Sequence, residues 1–193
     1  SSDRGHSWKS VFPDSYSFTA TGFVYRNIKV NNGKFFLSCV INSKGYAFTV
    51  NNSNIALINS LDDTEMSDSI YFNGAYALCG SNKGSVSVCT DESLTDWTTY
   101  NFTNVEVYKF KIFDNTLYLT GDKIIVKATD VKNKTVDDWS YWWDTSLTNK
   151  TRDFAKNGNT VVISEENRIA VSQDNMTTYT EIMPDSTSEI WET

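Results

Sequence analysis

A turn that recurs at nearly constant spacing constrains this chain more than any other feature. Asn32-Gly33, Asn73-Gly74, Asp114-Asn115 and Asn157-Gly158 each stand between two apolar runs, and their first residues lie 41, 41 and 43 apart. Asn-Gly between alternating apolar runs is the strongest short-range hairpin signal, because a type I′ turn needs positive φ at both central residues. The flanks agree with hairpins. Asn27–Val30 leads into Lys34–Ser38, Ser69–Phe72 into Ala75–Leu78, Lys111–Phe113 into Thr116–Leu119, and Asp153–Ala155 into Thr160–Ile163. These segments read as the first and second strands of four units.

A second turn follows in each unit, at Ser43-Lys44-Gly45, Asn82-Lys83-Gly84, Gly121-Asp122 and Glu166-Asn167. Third strands come next, at Tyr46–Val50, Ser85–Val88, Ile124–Lys127 and Ile169–Val171. Each unit then reaches a polar segment with an Asp or Asn at its centre. These residues, Asp3, Asn52, Asp91, Asp130 and Asp174, are 49, 39, 39 and 44 apart. A fixed period of about 40–45 residues with several short strands is the signature of β-propeller blades. The expected fold is therefore all-β: a β-propeller of four-stranded antiparallel blades, with four complete units and a lone strand at each end. In the first full unit the strands should cover about 27–31, 34–41, 45–50 and 55–59.

The polar segments carry a family resemblance. Ser1 to Trp8 reads Ser-Ser-Asp-Arg-Gly-His-Ser-Trp. This Ser-x-Asp-x-Gly-x-x-Trp pattern resembles the Asp-box, or BNR repeat, of sialidase-like propellers. Ser172 to Tyr179 matches in part, with Met176 in place of Gly and Tyr179 in place of Trp. The runs from Asp91 to Trp97 and from Asp130 to Trp139 are looser copies with one and four extra residues. The Asp carboxylate can accept backbone N–H bonds within its own loop. Glycine permits positive φ, and the aromatic ring can bury itself beneath the loop. A feature repeated in every blade serves the frame. Asp3, Asp91, Asp130 and Asp174, with Trp8, Trp97, Trp139 and Tyr179, are therefore read as structural and not catalytic.

The ends add to this reading. The chain opens on a polar segment followed by one strand, Trp8–Phe12, and closes on Ser188–Trp191, which is similar to the first strand at Asp68–Tyr71. Residues 1–193 are read as a single β-propeller domain that is a segment of a longer polypeptide of at least five blades.

Composition narrows the function. The formal net charge is −7. An acidic chain repels phosphates, and no basic stripe with interleaved aromatics is present, so nucleic acid is excluded as a partner. No apolar run is long enough to span a membrane as a helix. The three cysteines, Cys39, Cys79 and Cys89, are an odd number and read as small buried hydrophobes, not as a disulfide framework. The single histidine, His6, lies in the first polar segment. That leaves no basis for a histidine metal site or a Ser-His-Asp triad. Asp62-Asp63 and Asp137-Asp138 follow no calcium-loop pattern, and no phosphate-cradling glycine loop occurs. No metal and no cofactor are expected.

The resemblance raises catalysis as a question. Sialidase-like enzymes use three arginines against a substrate carboxylate, a Tyr–Glu nucleophile pair and an Asp acid/base. Here Arg26 and Arg152 precede first strands, Arg168 sits in a second turn and Arg4 in an Asp-box-like segment. Two suitably placed arginines do not make a triad, and nothing singles out a pair of carboxylates for glycoside hydrolysis. No catalytic residue is assigned.

Binding remains, and topology says where. First turns share one face of the ring with the Asp-bearing segments. Inter-blade loops and second turns share the other. Tyr16, Phe18, Arg26, Arg152, Asp153 and Arg168 are the candidate ligand residues on that second face. Aromatic rings suit sugar faces, and charged groups suit hydroxyls and anions. Trp139-Ser140-Tyr141-Trp142-Trp143 is the densest aromatic cluster. Alternation would put Trp139, Tyr141 and Trp143 on one side and Trp142 on the other, with packing between blades or an exposed patch as the two outcomes.

The reading is a non-catalytic recognition module for a bacterial surface glycan or another cell-surface receptor. Its divergent, acidic, Asn- and Thr-rich style resembles receptor-binding parts of bacteriophage tails, which implies a virion or extracellular location and a homotrimeric parent. The alternative is a glycoside hydrolase whose catalytic residues lie outside this segment.

Overall fold

The computed structural model describes residues 23–50, 55–61, 65–81, 83–103, 105–144 and 150–183. They form four sheets, each of four antiparallel strands in sequential order. The first blade is β1 (Phe23–Asn31), β2 (Lys34–Ile41), β3 (Lys44–Val50) and β4 (Ile55–Leu61). The second is β5 (Met66–Phe72), β6 (Ala75–Gly80), β7 (Ser85–Cys89) and β8 (Trp97–Asn101). The third is β9 (Val107–Phe113), β10 (Thr116–Gly121), β11 (Ile124–Ala128) and β12 (Ser140–Asp144), with a single 3-10 turn at Val136–Asp138. The fourth is β13 (Thr151–Asn157), β14 (Thr160–Glu165), β15 (Ile169–Ser172) and β16 (Thr180–Ile182). The blades stack through their first strands, β1 on β5 and β5 on β9, and the fourth joins through β13 on β10.

The periodic turns form where the spacing places them, with local corrections. Asn32-Gly33 and Asn73-Gly74 have positive φ at both residues, as does Asp114-Asn115, which suits the right-handed twist of the flanking strands. In the fourth blade Asn157 pairs with Thr160, so the turn is Gly158-Asn159 and not Asn157-Gly158. There only Gly158 has positive φ, as in a II′ turn with glycine first. Ile41 pairs with Lys44, which moves the second turn of the first blade to Asn42-Ser43. Gly121 pairs with Ile124, so the third blade turns at Asp122-Lys123.

Burial follows the stacking. Every residue of β6 and β7 is buried, because the second blade has a neighbour on each face. Accordingly neither strand carries a charged residue. In β14 buried and exposed residues alternate over most of its length, as expected for a sheet covered mainly on one face. The seam between the second and third blades is the largest apolar cluster, with Phe72, Val86, Phe102, Phe110, Leu119 and Trp139. Phe36, Met66, Tyr76 and Leu78 join the first blade to the second, and Tyr118, Ile125, Trp143, Phe154 and Ile163 join the third to the fourth. Full burial of one such side chain contributes about 1.5–3 kcal/mol.

The aromatic run of β12 departs from simple alternation. A bulge opposite Ile125 and Val126 skips Trp142. Trp139 then packs into the second–third seam and Trp143 into the third–fourth seam. Trp142 lies against Tyr118 and Phe154, while Tyr141 is 65% exposed. The run is thus divided between two blade junctions. Cys39, Cys79 and Cys89 are free and buried, and burial pushes the Cys39 thiol up to about 12.

Candidate ligand-binding face

All four first strands carry a β-bulge near their start. The ladder skips a residue between Tyr25 and Asn27, between Met66 and Asp68, between Val107 and Lys109, and between Thr151 and Asp153. The extra residues are Arg26, Ser67, Tyr108 and Arg152. A bulged residue has no partner in the ladder, so the bend re-aims its side chain. Four equivalent positions on the first strands therefore present two guanidinium groups, a phenol and a hydroxyl at one level of the blade stack.

The loops behind this level are tied down in the same way in the second, third and fourth blades. Second-turn amides donate to the linker carbonyl that precedes the first strand: Ser81 N to Glu65 O at 3.0 Å, Asp122 N to Glu106 O at 2.7 Å, and Glu166 N to Lys150 O at 3.0 Å. Close approach of backbone needs glycine. A Cβ on Gly84 would stand 2.3 Å from Val105 O, and one on Gly121 2.3 Å from Glu106 O. These bonds place inter-blade loops and second turns on one face, as the topology of the repeat requires.

Each bulge cation meets a carboxylate. Arg26 Nη2 lies 2.6 Å from Glu65 Oε1, and Arg152 Nη2 3.2 Å from Glu166 Oε1. The Tyr108 hydroxyl donates to Glu106, whose Oε2 is also 3.5 Å from Lys150 Nζ. Burial, the bond to Glu106 and the charges of Glu106 and Asp122 all raise the Tyr108 phenol above its ordinary range. It is a neutral donor at physiological pH. Beside it opens a cleft of about 480 Å³ between the second and third blades, with Lys83, Asn101, Thr103, Val105, Glu106 and Asp122 in its wall.

One step further along the inner strands lies a second polar level. Asp68, 1% exposed, accepts Asn27 Nδ2 at 2.5 Å, Lys29 Nζ at 2.7 Å, its neighbour Ser69 N at 2.8 Å and Phe110 N at 2.9 Å. It thereby binds the first and third blades to the second. Asp153 plays a similar part between the third and fourth, with Lys109 Nζ at 3.2 Å, a contact to Lys111 Nζ and Phe154 N at 2.7 Å. Burial pushes the Asp153 carboxyl up, but Lys111 and Lys109 outweigh it and the net direction is down.

The candidates named from sequence therefore separate. Arg26 and Arg152 come together with the bulge level, and Asp153 lies one residue below it as a seam carboxylate. Arg168 is 6% exposed, with its guanidinium against Glu165 and Glu181. It ties β15 to its neighbours and does not reach the open face. Tyr16 and Phe18 lie outside the described residues, as do Asp3, Trp8 and Asp62-Asp63. Ser67, Tyr108, Glu106 and Asp122 were not singled out. Arg26 and Arg152 stand immediately before the first strands read from sequence, whereas Ser67 and Tyr108 stand two and three residues before theirs, so the sequence offered no shared position for the four.

The opposite face carries the Asp-bearing loops. Asp91 accepts Ser93 N at 3.0 Å, Thr95 N at 3.4 Å, Thr95 Oγ1 at 2.9 Å and the Ser93 hydroxyl. Asp174 accepts Thr178 N at 2.8 Å, Thr178 Oγ1 at 2.7 Å and Ser172 Oγ at 2.8 Å. Asp130 accepts Lys132 N at 2.9 Å. Hydrogen bonds from Ser93 and Thr178 hold the Asp91 and Asp174 carboxyls below the usual range. Leu94 and Met176 adopt φ of +61° and +70°, so the left-handed corner forms without glycine. Trp97 Nε1 donates to Leu94 O at 2.8 Å, Trp139 Nε1 to Tyr100 OH at 2.9 Å, and Tyr179 meets Trp143 edge-on. The first turn of one blade also reaches the Asp loop of the next, where Lys34 Nζ, Asn32 Nδ2 and Tyr76 OH bond Glu92 at 2.6, 3.1 and 2.9 Å. Among the described residues, no three His, Cys, Asp or Glu side chains group to hold a metal, and no helix is long and apolar enough to cross a membrane.

No family model matches the chain, and no curated protein matches it. Solved structures do. The extracellular domain of a hybrid two-component system from B. thetaiotaomicron is similar at 11% identity and a TM-score of 0.61, over 86% of this chain and 23% of that one. YCF48 from Cyanidioschyzon merolae is similar at 12% identity and 0.60, over 99% and 67%. The periplasmic gluconolactonase of Pseudomonas aeruginosa is similar at 12% and 0.60, over 83% and 53%. The chain thus spans about a quarter of the first protein's length and about half of the third's. At these identities the likeness concerns the fold alone. With the four sheets it defines the chain as a β-propeller built of four-stranded antiparallel blades.

Proposed function

We propose that the chain is a non-catalytic, extracellular recognition module that binds a glycan or another cell-surface receptor. The observation that carries this reading is the bulge level, where Arg26, Ser67, Tyr108 and Arg152 stand at equivalent positions on one face beside an open cleft. Bulges at sheet ends re-aim side chains toward ligands, and hydroxyl-rich ligands suit a rim of guanidinium, phenol and carboxylate groups. The extracellular domain among the similar structures supports the location. In its finer form the module belongs to a bacteriophage tail or fibre on the virion. This form rests on the acidic, Asn- and Thr-rich style of the sequence and on the resemblance of its Asp loops to Asp-boxes. There the parent is a homotrimer, and several weak sites act together through avidity.

One observation favours a second reading, glycoside hydrolysis. The Tyr108 hydroxyl donates to Glu106 beside Arg152, the kind of Tyr–Glu pair the sialidase resemblance associates with a nucleophile. Against it stand the two arginines of the bulge level where three are needed, and the burial of Arg168.

The test is binding of purified protein to bacterial cells and isolated wall glycans, run beside a glycosidase screen. Arg152→Ala and Arg26→Ala should each weaken binding ~10-fold or more by removing a charged donor, with melting unchanged. Hydrolysis that disappears in Arg152→Ala or Tyr108→Phe would overturn the non-catalytic claim. Full binding in an Arg26→Ala/Arg152→Ala double variant would move the site elsewhere.

A further inference from the structure

The geometry points to a ligand class for this face: a sugar unit that donates hydrogen bonds, with a free-amine hexosamine preferred and acidic sugars disfavoured, seated in the cleft between the second and third blades against Asp122. The inference rests on the recognition reading above and narrows its ligand.

Three observations carry it. The first concerns the cations. Arg26 is held by Glu65, Arg152 by Glu166, Arg168 by Glu165 and Glu181, and Lys150 by Glu106. A ligand carboxylate would have to displace a resident carboxylate from each of these four, so it exchanges one ion pair for another and gains little; Lys83, the cation in the cleft wall itself, is not free either. It would also approach Glu106, Asp122 and Glu166 in a chain of net charge −7, where like charges repel.

The second concerns the acceptor. Asp122 lines the cleft. Its amide is used by Glu106 O, but its Oδ1 is buried without a hydrogen-bond partner. A buried carboxylate oxygen left unsatisfied is costly, and rotation of the Asp122 side chain into the cleft it lines brings that oxygen within reach of a ligand donor and a charge-assisted bond. An ammonium or hydroxyl supplies that donor, whereas a ligand carboxylate supplies none.

The third concerns reach. Glu106 belongs to both places: its side chain lines the cleft and its carboxylate takes Tyr108 and Lys150 at the bulge level. A chain of sugar units seated in the cleft therefore continues onto Tyr108 and Arg152. The cleft volume of about 480 Å³ falls within the range of small-ligand sites.

The experiment titrates the full-length protein with three probes by calorimetry: a glucosamine tetramer, its N-acetylated counterpart and a galacturonate tetramer. The expected order of affinity is glucosamine, N-acetylglucosamine, galacturonate, with ~10-fold or more between first and last. Asp122→Asn keeps the shape and removes the charge. Because Asp122 Oδ1 has no hydrogen-bond partner to lose, melting should be unchanged while glucosamine affinity falls ~10-fold. Galacturonate binding as tightly as glucosamine, or equal glucosamine affinity in Asp122→Asn, overturns this inference and leaves recognition by the face intact. Absence of binding to all three probes and to cells and wall glycans overturns both.

Discussion

The two faces of the blade stack use the same acidic side chains in opposite ways. On the Asp-loop face, Asp91 and Asp174 spend their oxygens within a few residues of themselves, on Ser93 and Thr95 or on Ser172 and Thr178. Each loop is a closed local circuit. On the bulge face, Glu65, Glu106 and Glu166 face cations or a phenol that point toward solvent, and Asp122 keeps a buried oxygen unused. Local satisfaction makes a rigid corner that any blade can repeat. Incomplete satisfaction leaves a surface with something to offer a ligand. Asp68 lies between these extremes, since it is fully used but by residues from three blades.

The largest expected effect tests that intermediate case. Asp68→Ala would strand the Lys29 ammonium and the Asn27 and Phe110 donors at the seam, for about 3 kcal/mol of stability, measured by urea denaturation. A loss no larger than that of an ordinary surface substitution would show that the seam is held by apolar packing alone.

Next comes an exchange of readouts between faces. Asp174→Ala should lower the melting temperature and leave glycan affinity unchanged, while Arg152→Ala should do the reverse. If both variants moved both readouts, the division between frame and site would fail.

Acid gives a smaller, graded effect. Hydrogen bonds from Ser93 and Thr178 depress the Asp91 and Asp174 carboxyls in the folded chain. A depressed folded value means that the stabilisation is present above the unfolded value, about 4, and is lost as pH falls through the folded one. Protection of the amides in 91–97 and 174–179, taken relative to their intrinsic exchange rates, should therefore fall below about pH 4, ahead of protection in β6 and β7. A uniform loss of protection along the chain would contradict local circuits. Tyr108→Phe should have the smallest effect, under about 1 kcal/mol of stability, and a modest loss of affinity that separates donation by the phenol from stacking by its ring.

The frame was readable because its determinants are local. Asn32-Gly33 and Asn73-Gly74 need only their own two residues to set a turn, and the observed strands follow from them. β1, which begins at Phe23, and β4, which ends at Leu61, run longer than their patterns suggest, since pairing with β2 and β3 extends them. The fourth turn was misread by one residue because Asn157-Gly158-Asn159 offers two overlapping pairs, and only strand register selects the one with glycine first. The site was half readable. Arg26 and Arg152 stood out by residue type and place, but a bulge is decided by how two strands align, so Ser67 and Tyr108 gave no sign. Arg168 had the right type in the right turn, yet Glu165 and Glu181 draw it inward. Asp68 needs partners from both neighbouring blades, which no local window contains. Trp143 was placed on the wrong side for a similar reason: the bulge at Trp142 depends on pairing with β11.

Because a bulged residue belongs to no ladder pair, positions 26, 67, 108 and 152 can change identity without asking the sheets to readjust. The frame inherits its constraints from the ladders and the Asp loops, while, on the proposed reading, these four positions are free to drift with the ligand. A lineage of such proteins would then diversify its targets by rewriting a handful of codons at fixed places in the repeat. A library randomised at those four sites should return folded proteins with altered binding preference far more often than one randomised at four ladder positions.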